Sequence, residues 1–172
     1  MTRFAIREAR VADAEGIARA HTASWRSSYR GILPDRVLDQ IDIGQRTESR
    51  VRILKDPAMV HLVAYDTTHH DIVGFCDAGE ARRRHVAPAR AEIYAIYLEH
   101  HAKRHGLGRE LFEGATSILR ARGLDSLVIW VLEDNHHARR FYEALGGALG
   151  PTVGSRVGGF AVVERAYVWS RI

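Results

Sequence analysis

A chain of 172 residues with 46 % hydrophobic content has the size and apolar share of one domain with a substantial core, so a single domain over 1–172 is expected. No run of about 18 uncharged apolar residues occurs, and the amino terminus alternates instead of building a signal-peptide core, which argues against a membrane span and for a soluble, cytoplasmic protein. The net charge of +4 suits a polyanion, but basic and acidic residues are interspersed and no groove-reading or RNA-binding motif is present, so a phosphorylated cofactor is the better expectation than nucleic acid.

Phe4 and Ile6 read as a short strand, followed by an amphipathic helix over 13–25 in which Ile17, Ala18 and His21 recur at helical spacing. His21, Trp25 and Tyr29 are spaced by four and share one face; a core stripe is their default reading, while the polar tips of His and Tyr also suit a substrate wall. A second helical stretch runs over 34–54, interrupted near 42–44. Two apolar runs, 59–65 and 72–81, flank a polar turn at 66–71 and predict a hairpin. Cys76, the single cysteine, lies in the second run with no adjacent His to activate it, which makes it a buried structural thiol.

A basic loop, 82–90, leads into a strand over 91–98. Residues 108–122 then place Leu111, Phe112, Ala115, Ile118 and Leu119 on one helical face, with Gly123 as the stop. A near-continuous apolar strand over 127–132, a helix over 135–145 ended by Gly146 and Gly147, and a closing strand over 160–169 complete the order, which predicts an α/β sandwich.

The switch from strand to helix crosses Lys103, Arg104, His105, Gly106, Leu107, Gly108 and Arg109. Glycines there leave backbone N–H groups unscreened, and the helix that begins adds its positive end, so the turn can hold an anion. Two glycines alone are equally an ordinary tight turn; the three cations strengthen the anion reading. A P-loop would need Gly-Lys-Ser/Thr where this chain has Gly108-Arg109-Glu110, and a dinucleotide fingerprint would need a third glycine where it has Leu111. The neighbouring histidine pairs, 69–70, 100–101 and 136–137, lack companion cysteines or helical His-x-x-x-His spacing, so no metal is expected.

Three segments in order, Ala91 to Leu98, the Gly106-Leu107-Gly108 turn, and Asn135-His136-His137-Ala138-Arg139-Arg140-Phe141-Tyr142, resemble the GNAT superfamily of N-acetyltransferases. The amino-terminal Ser24-Trp25 with Tyr29 and Gly31-Ile32-Leu33-Pro34 resembles one branch of it. The chain departs from the family pattern at His100, Lys103 and Gly147. The resemblance implies a mixed, mostly antiparallel central sheet with helices on both faces, acetyl-CoA as cosubstrate, a small-molecule or peptide amine as acceptor, and a homodimer. It further implies that Ile96, Tyr97 and Leu98 present strand backbone to the cofactor's pantetheine arm, that Lys103 to Arg109 hold its diphosphate, that Asn135 and Ala138 contact it, and that Tyr142 stands near its sulfur as general acid.

Glu92 is the candidate base. It stands fourteen residues before Gly106, where histone-type members of the family carry a catalytic glutamate, and strand alternation would put it on the face of Tyr94, Ile96 and Leu98. A Lys-like amine near pKa 10.4 costs about 4.6 kcal/mol to present neutral at pH 7, which a base or a desolvating pocket must help recover. His21, Trp25 and Tyr29 remain the candidate acceptor-site residues. The implied activity is direct transfer of acetyl from acetyl-CoA to an amine; a non-catalytic acyl-CoA sensor of the same fold is the alternative.

Overall fold

The computed structural model describes residues 3–172. Its elements are β1 (Phe4–Glu8), α1 (Ala14–Ser28), α2 (Asp35–Asp39), α3 (Ile43–Ile53), β2 (Val60–Asp66), β3 (Asp71–Glu80), β4 (Ala91–Leu98), α4 (Leu107–Ala121), β5 (Leu127–Leu132), α5 (His136–Ala144), β6 (Ala148–Val157) and β7 (Phe160–Trp169). Seven strands form one sheet in the order β1-β2-β3-β4-β5-β7-β6. Every pairing is antiparallel except β4 with β5. The fold is thus the mixed, mostly antiparallel sheet with helices on both faces. No helix among the described residues is long and apolar enough to cross a membrane.

Strand alternation sends two sets of side chains to opposite layers. On one face, Cys76, Ala78, Ile93, Leu127 and Ile129 pack under the apolar stripe of α4, Leu107, Leu111, Phe112, Ala115 and Leu119, with Tyr142 of α5 beside them. On the other, Ile17 of α1 covers Val63 and Phe75, while Ala81, Ala87 and Ala89 fold the loop after β3 back over Val128 and Ala166. That loop covers part of the β5–β7 half of the sheet, and Leu38 of α2 packs on Leu132 at its far end.

The helical stretch expected over 34–54 is two helices, broken at 40–42 because the Asp42 carboxylate caps α3 by accepting from the Gln45 N–H at 2.8 Å. The strand β6 was not expected: Gly150, Pro151 and Gly154 interrupt its apolar alternation. Gly150 is required by its neighbour, since a Cβ there would stand 2.9 Å from the Cβ of Ala166. A hairpin with Gly158 and Gly159 at positive φ returns β6 into β7.

Candidate functional site

The parallel ladder of β4 and β5 is short. Its registered pairs are Ala91 with Leu127, Glu92 with Val128 and Ile93 with Ile129, and none follows. Beyond Ile93 the two strands separate, and a cavity of about 870 Å³ occupies the gap, lined by 93–98 of β4, 129–131 of β5 and the elements that follow each strand. Backbone groups on this open edge of β4 face the cavity rather than a partner strand.

At the same place β4 carries a bulge. Asp77 pairs with Ala95 and the next residue of β3, Ala78, pairs with Ile93, so Tyr94 is the extra residue. The bulge corrects the alternation expected for this strand. Ile93, Ile96 and Leu98 belong to the α4 layer, Ala95 and Tyr97 to the α1 layer. Glu92, opposite Gly79, turns away from Ile96 and Leu98.

Glu92 is 1 % exposed and is held by Arg82, whose backbone N–H donates to Oε2 at 2.9 Å and whose guanidinium donates to Oε1 at 3.2 and 2.5 Å. The same guanidinium lies 4.2 Å over the Tyr94 ring, and the Tyr94 hydroxyl donates to the Glu80 carbonyl at 2.6 Å. Glu92 therefore anchors the start of the 82–90 loop and does not line the cavity.

The cavity mouth is the glycine turn. Arg104, at φ 65°, and Gly106, at φ 84°, both take the left-handed conformation, which costs a residue with a Cβ such as Arg104 and is the backbone geometry from which anion-binding concavities are built. A Cβ on Gly106 would make only an ordinary 3.6 Å contact with Glu110 Oε1; its requirement is conformational. Gly108 has a different reason, since a Cβ there would meet the Phe141 ring at 3.1 and 3.3 Å. Of the turn, Lys103, Arg104, Gly106, Gly108 and Arg109 line the cavity. Leu107 is buried in the core and the His105 ring lies tilted against Phe4, with centroids 5.2 Å apart. Lys103 also reaches α1, donating to Ser28 Oγ at 3.3 Å, and burial lowers its pKa.

Deeper in, Asn135 and Ala138 line the cavity, and Asn135 Oδ1 accepts the Ala138 N–H at 3.2 Å as the cap of α5. Tyr142 projects from α5 into the same space; its hydroxyl has no hydrogen-bond partner among the described residues, and burial raises its pKa far above the ordinary value. Across the gap, the Tyr29 and Tyr97 hydroxyls share a 3.0 Å hydrogen bond. Burial, reinforced by Tyr97, raises the Tyr29 phenol as well.

Tyr29 thus reaches the cavity, but His21 and Trp25 do not. They form an aromatic cluster: His21 lies 5.0 Å from the Tyr97 ring, 5.1 Å from Phe75 and 5.5 Å from Trp25. Burial first, then the charges of Arg46 and Arg50, lowers the His21 pKa to about 2.

Sequence reasoning did not pick out Trp130, His100, His137 or Arg140 as site residues, yet all four line the cavity. His137 and Arg140 occupy variable positions of the Asn135–Tyr142 segment, and His100 lies before the turn; the signal available was their charge, spread over two segments that only the fold brings together.

The described site can hold a diphosphate at its mouth and an extended chain along the open edge of β4. The family description "Acetyltransferase (GNAT) family" matches residues 17–147. The uncharacterized N-acetyltransferase YuaI of Bacillus subtilis is 32 % identical over 131 residues, 76 % of this chain and 72 % of that protein. A Mycobacterium tuberculosis protein named as a probable N-acetyltransferase is 30 % identical over 140 residues, 80 % of this chain and 76 % of its own. Among solved structures, the PaiA N-acetyltransferase of Thermoplasma acidophilum in complex with coenzyme A superposes with a TM-score of 0.71 at 18 % identity, covering 96 % of this chain and 98 % of the other.

Proposed function

The chain belongs to the GNAT acetyltransferase family and is an acyltransferase of that type, and on this premise we propose that it moves an acetyl group from acetyl-CoA to a primary amine by direct attack. The observation that carries the reading is the continuity of one cavity from a left-handed, cation-bearing turn at its mouth to the unpartnered Tyr142 hydroxyl inside. Lys103, Arg104, Arg109 and the N–H groups of the turn hold the diphosphate, and the edge of β4 at 96–98 receives the pantetheine arm. Donors on that edge stabilise the charge that develops on the thioester oxygen.

The reaction balances without an external acid. The amine nitrogen forms a bond to the acetyl carbon, the carbon–sulfur bond breaks, Tyr142 gives its proton to the departing sulfur and recovers one from the amine nitrogen. A phenol raised by burial is protonated throughout the working range and so is ready as the donor. Presenting the amine neutral costs about 4.6 kcal/mol for a Lys-like group at pH 7. The cavity helps here, because no Asp or Glu lines it while six basic residues do, which disfavours an ammonium inside.

Glu92 acts as a positioning residue in this scheme: its oxygens are taken by Arg82, and it fixes the loop that flanks Tyr94 and the bulge. Tyr29, hydrogen-bonded to Tyr97, forms the acceptor-side wall, with His21 and Trp25 supporting the two rings from behind. An amine panel incubated with acetyl-CoA and read by free thiol tests the proposal. Thiol release that depends on the amine and falls in Tyr142→Phe is expected; tight CoA binding with no release from any amine would favour the sensor and sink the enzyme mechanism.

A further inference from the structure

The charge around the cavity is one-sided. The chain has 21 acidic residues, and none lines the cavity, whereas His100, Lys103, Arg104, Arg109, His137 and Arg140 all do. Arg109 approaches Glu113 at 3.7 Å; the other five have no carboxylate partner among the described residues. They come from two sides of the mouth. Lys103, Arg104 and Arg109 belong to the turn after β4, while His137 and Arg140 lie three apart on one face of α5, after β5.

The α5 side is close enough to feel the other: after burial, the charges of Lys103, Arg140, Arg104 and His100 each lower the pKa of His137. Such mutual repulsion among groups in one concavity is a cost that an anion removes. The diphosphate alone is a poor match for it, because the turn already supplies backbone N–H groups and three cations of its own. Coenzyme A carries a further phosphate, the monoester on the ribose 3′-oxygen, with about −1.5 to −2 charge at pH 7.

We propose that His137 and Arg140 of α5, with His100 facing them, form a second anion subsite that takes the 3′-phosphate of the cofactor's adenosine, separate from the diphosphate cradle of the turn. This rests on the reading of acetyl-CoA as cosubstrate and assigns the donor's nucleotide end to the α5 lip. Arg140 supplies a planar fork that fits two phosphate oxygens, and His137 and His100 add donors from either side. All three are exposed, so their substitution leaves the core intact.

The test compares dissociation constants of CoA and 3′-dephospho-CoA by calorimetry, without turnover. Wild type is expected to bind CoA at least about tenfold more tightly, the range of a charge-assisted pair. In the double variant His137→Asn/Arg140→Ala that ratio should fall to about two or less, with dephospho-CoA binding unchanged and a shallower salt dependence for CoA. Lys103→Gln, in the cradle, should weaken both ligands alike. Equal wild-type affinity for the two ligands overturns the proposal, as does a double variant that weakens both by the same factor, which would place the α5 cations on the diphosphate. Failure to bind either ligand would overturn the cofactor reading itself, and the subsite with it.

Discussion

Gly108 in the first turn of α4 and Phe141 of α5 stand so close that a methyl group on the glycine would sit 3.1 Å from the ring. This contact joins two of the segments that carry the family resemblance: the glycine turn packs directly against the helix that carries Tyr142. The two glycines of the turn therefore serve different physics, and substitutions should separate them.

Gly108→Ala has no backbone conflict, so its effect sets the displacement of the Phe141 ring against the roughly 0.5–1 kcal/mol that Ala gains over Gly in a helix: a net stability change within about 1 kcal/mol, with weaker CoA binding as Phe141 shifts. Gly106→Ala is instead strained at φ 84°, costing about 1–2 kcal/mol, while Gly106→Asn should recover part of that because Asn tolerates the left-handed region. Chemical denaturation of the three variants reads both effects; Asn and Ala behaving alike at position 106 would show that conformation is not the reason for this glycine.

Tyr142→Phe removes the phenol proposed as proton donor and little volume. The rate constant for transfer should drop by about ten- to a hundredfold, at the low end of general acid catalysis because a thiolate leaves readily, with the CoA dissociation constant within about twofold of wild type. Since burial keeps the phenol protonated, the wild-type rate should rise with pH as the amine loses its proton and show no falling limb from Tyr142 below about pH 10. A full-rate Phe variant would move the donor role elsewhere.

Glu92→Gln tests positioning against base catalysis. Gln can still accept from the Arg82 N–H, but its amide NH2 then faces the guanidinium that Glu92 Oε1 accepts from, so stability should fall by about 1.5–3 kcal/mol, while kcat/KM should keep its pH profile at a reduced level. Loss of the acidic limb in the variant's profile would make Glu92 the base after all, acting through an intermediary.

His21 gives the fold an acid sensitivity. Its ring is held neutral with a pKa near 2, against an ordinary 6.5. The unfolded chain takes up a proton below about pH 6.5 and the folded chain does not, so the stability from neutral His21 is complete above about pH 6.5 and declines as pH falls toward 2, by up to about 1.4 kcal/mol per unit. His21→Phe, which keeps an aromatic ring beside Tyr97 and Phe75, should lose less stability between pH 7 and pH 5 than wild type in urea titrations. Parallel losses in the two proteins would refute this.

Cys76 is fully buried and its thiol is pushed well above its ordinary pKa by burial. Cys76→Ala should cost about 1 kcal/mol of stability and leave turnover intact, as direct attack requires. A folded Ala variant that binds CoA but no longer transfers acetyl would point to a covalent intermediate.

The features legible in the residues alone are local. Helical and strand periodicities, the left-handed turn at Gly106 and the Asn135 cap are set by neighbours within a few residues, and nearly every element lies where those patterns put it, whereas Gly108 answers to Phe141 on another helix. The strand β6 escaped because Gly150, which interrupts its alternation, answers to Ala166 on another strand. The bulge at Tyr94 escaped because it is a mismatch in register between β3 and β4, and with it went the direction of Glu92. The cation-lined mouth is likewise a tertiary product: His100 follows β4 and Arg140 sits in α5, and they share a cavity because two parallel strands part after Ile93 and Ile129. Chain neighbours set conformation; long-range packing decides which charges meet.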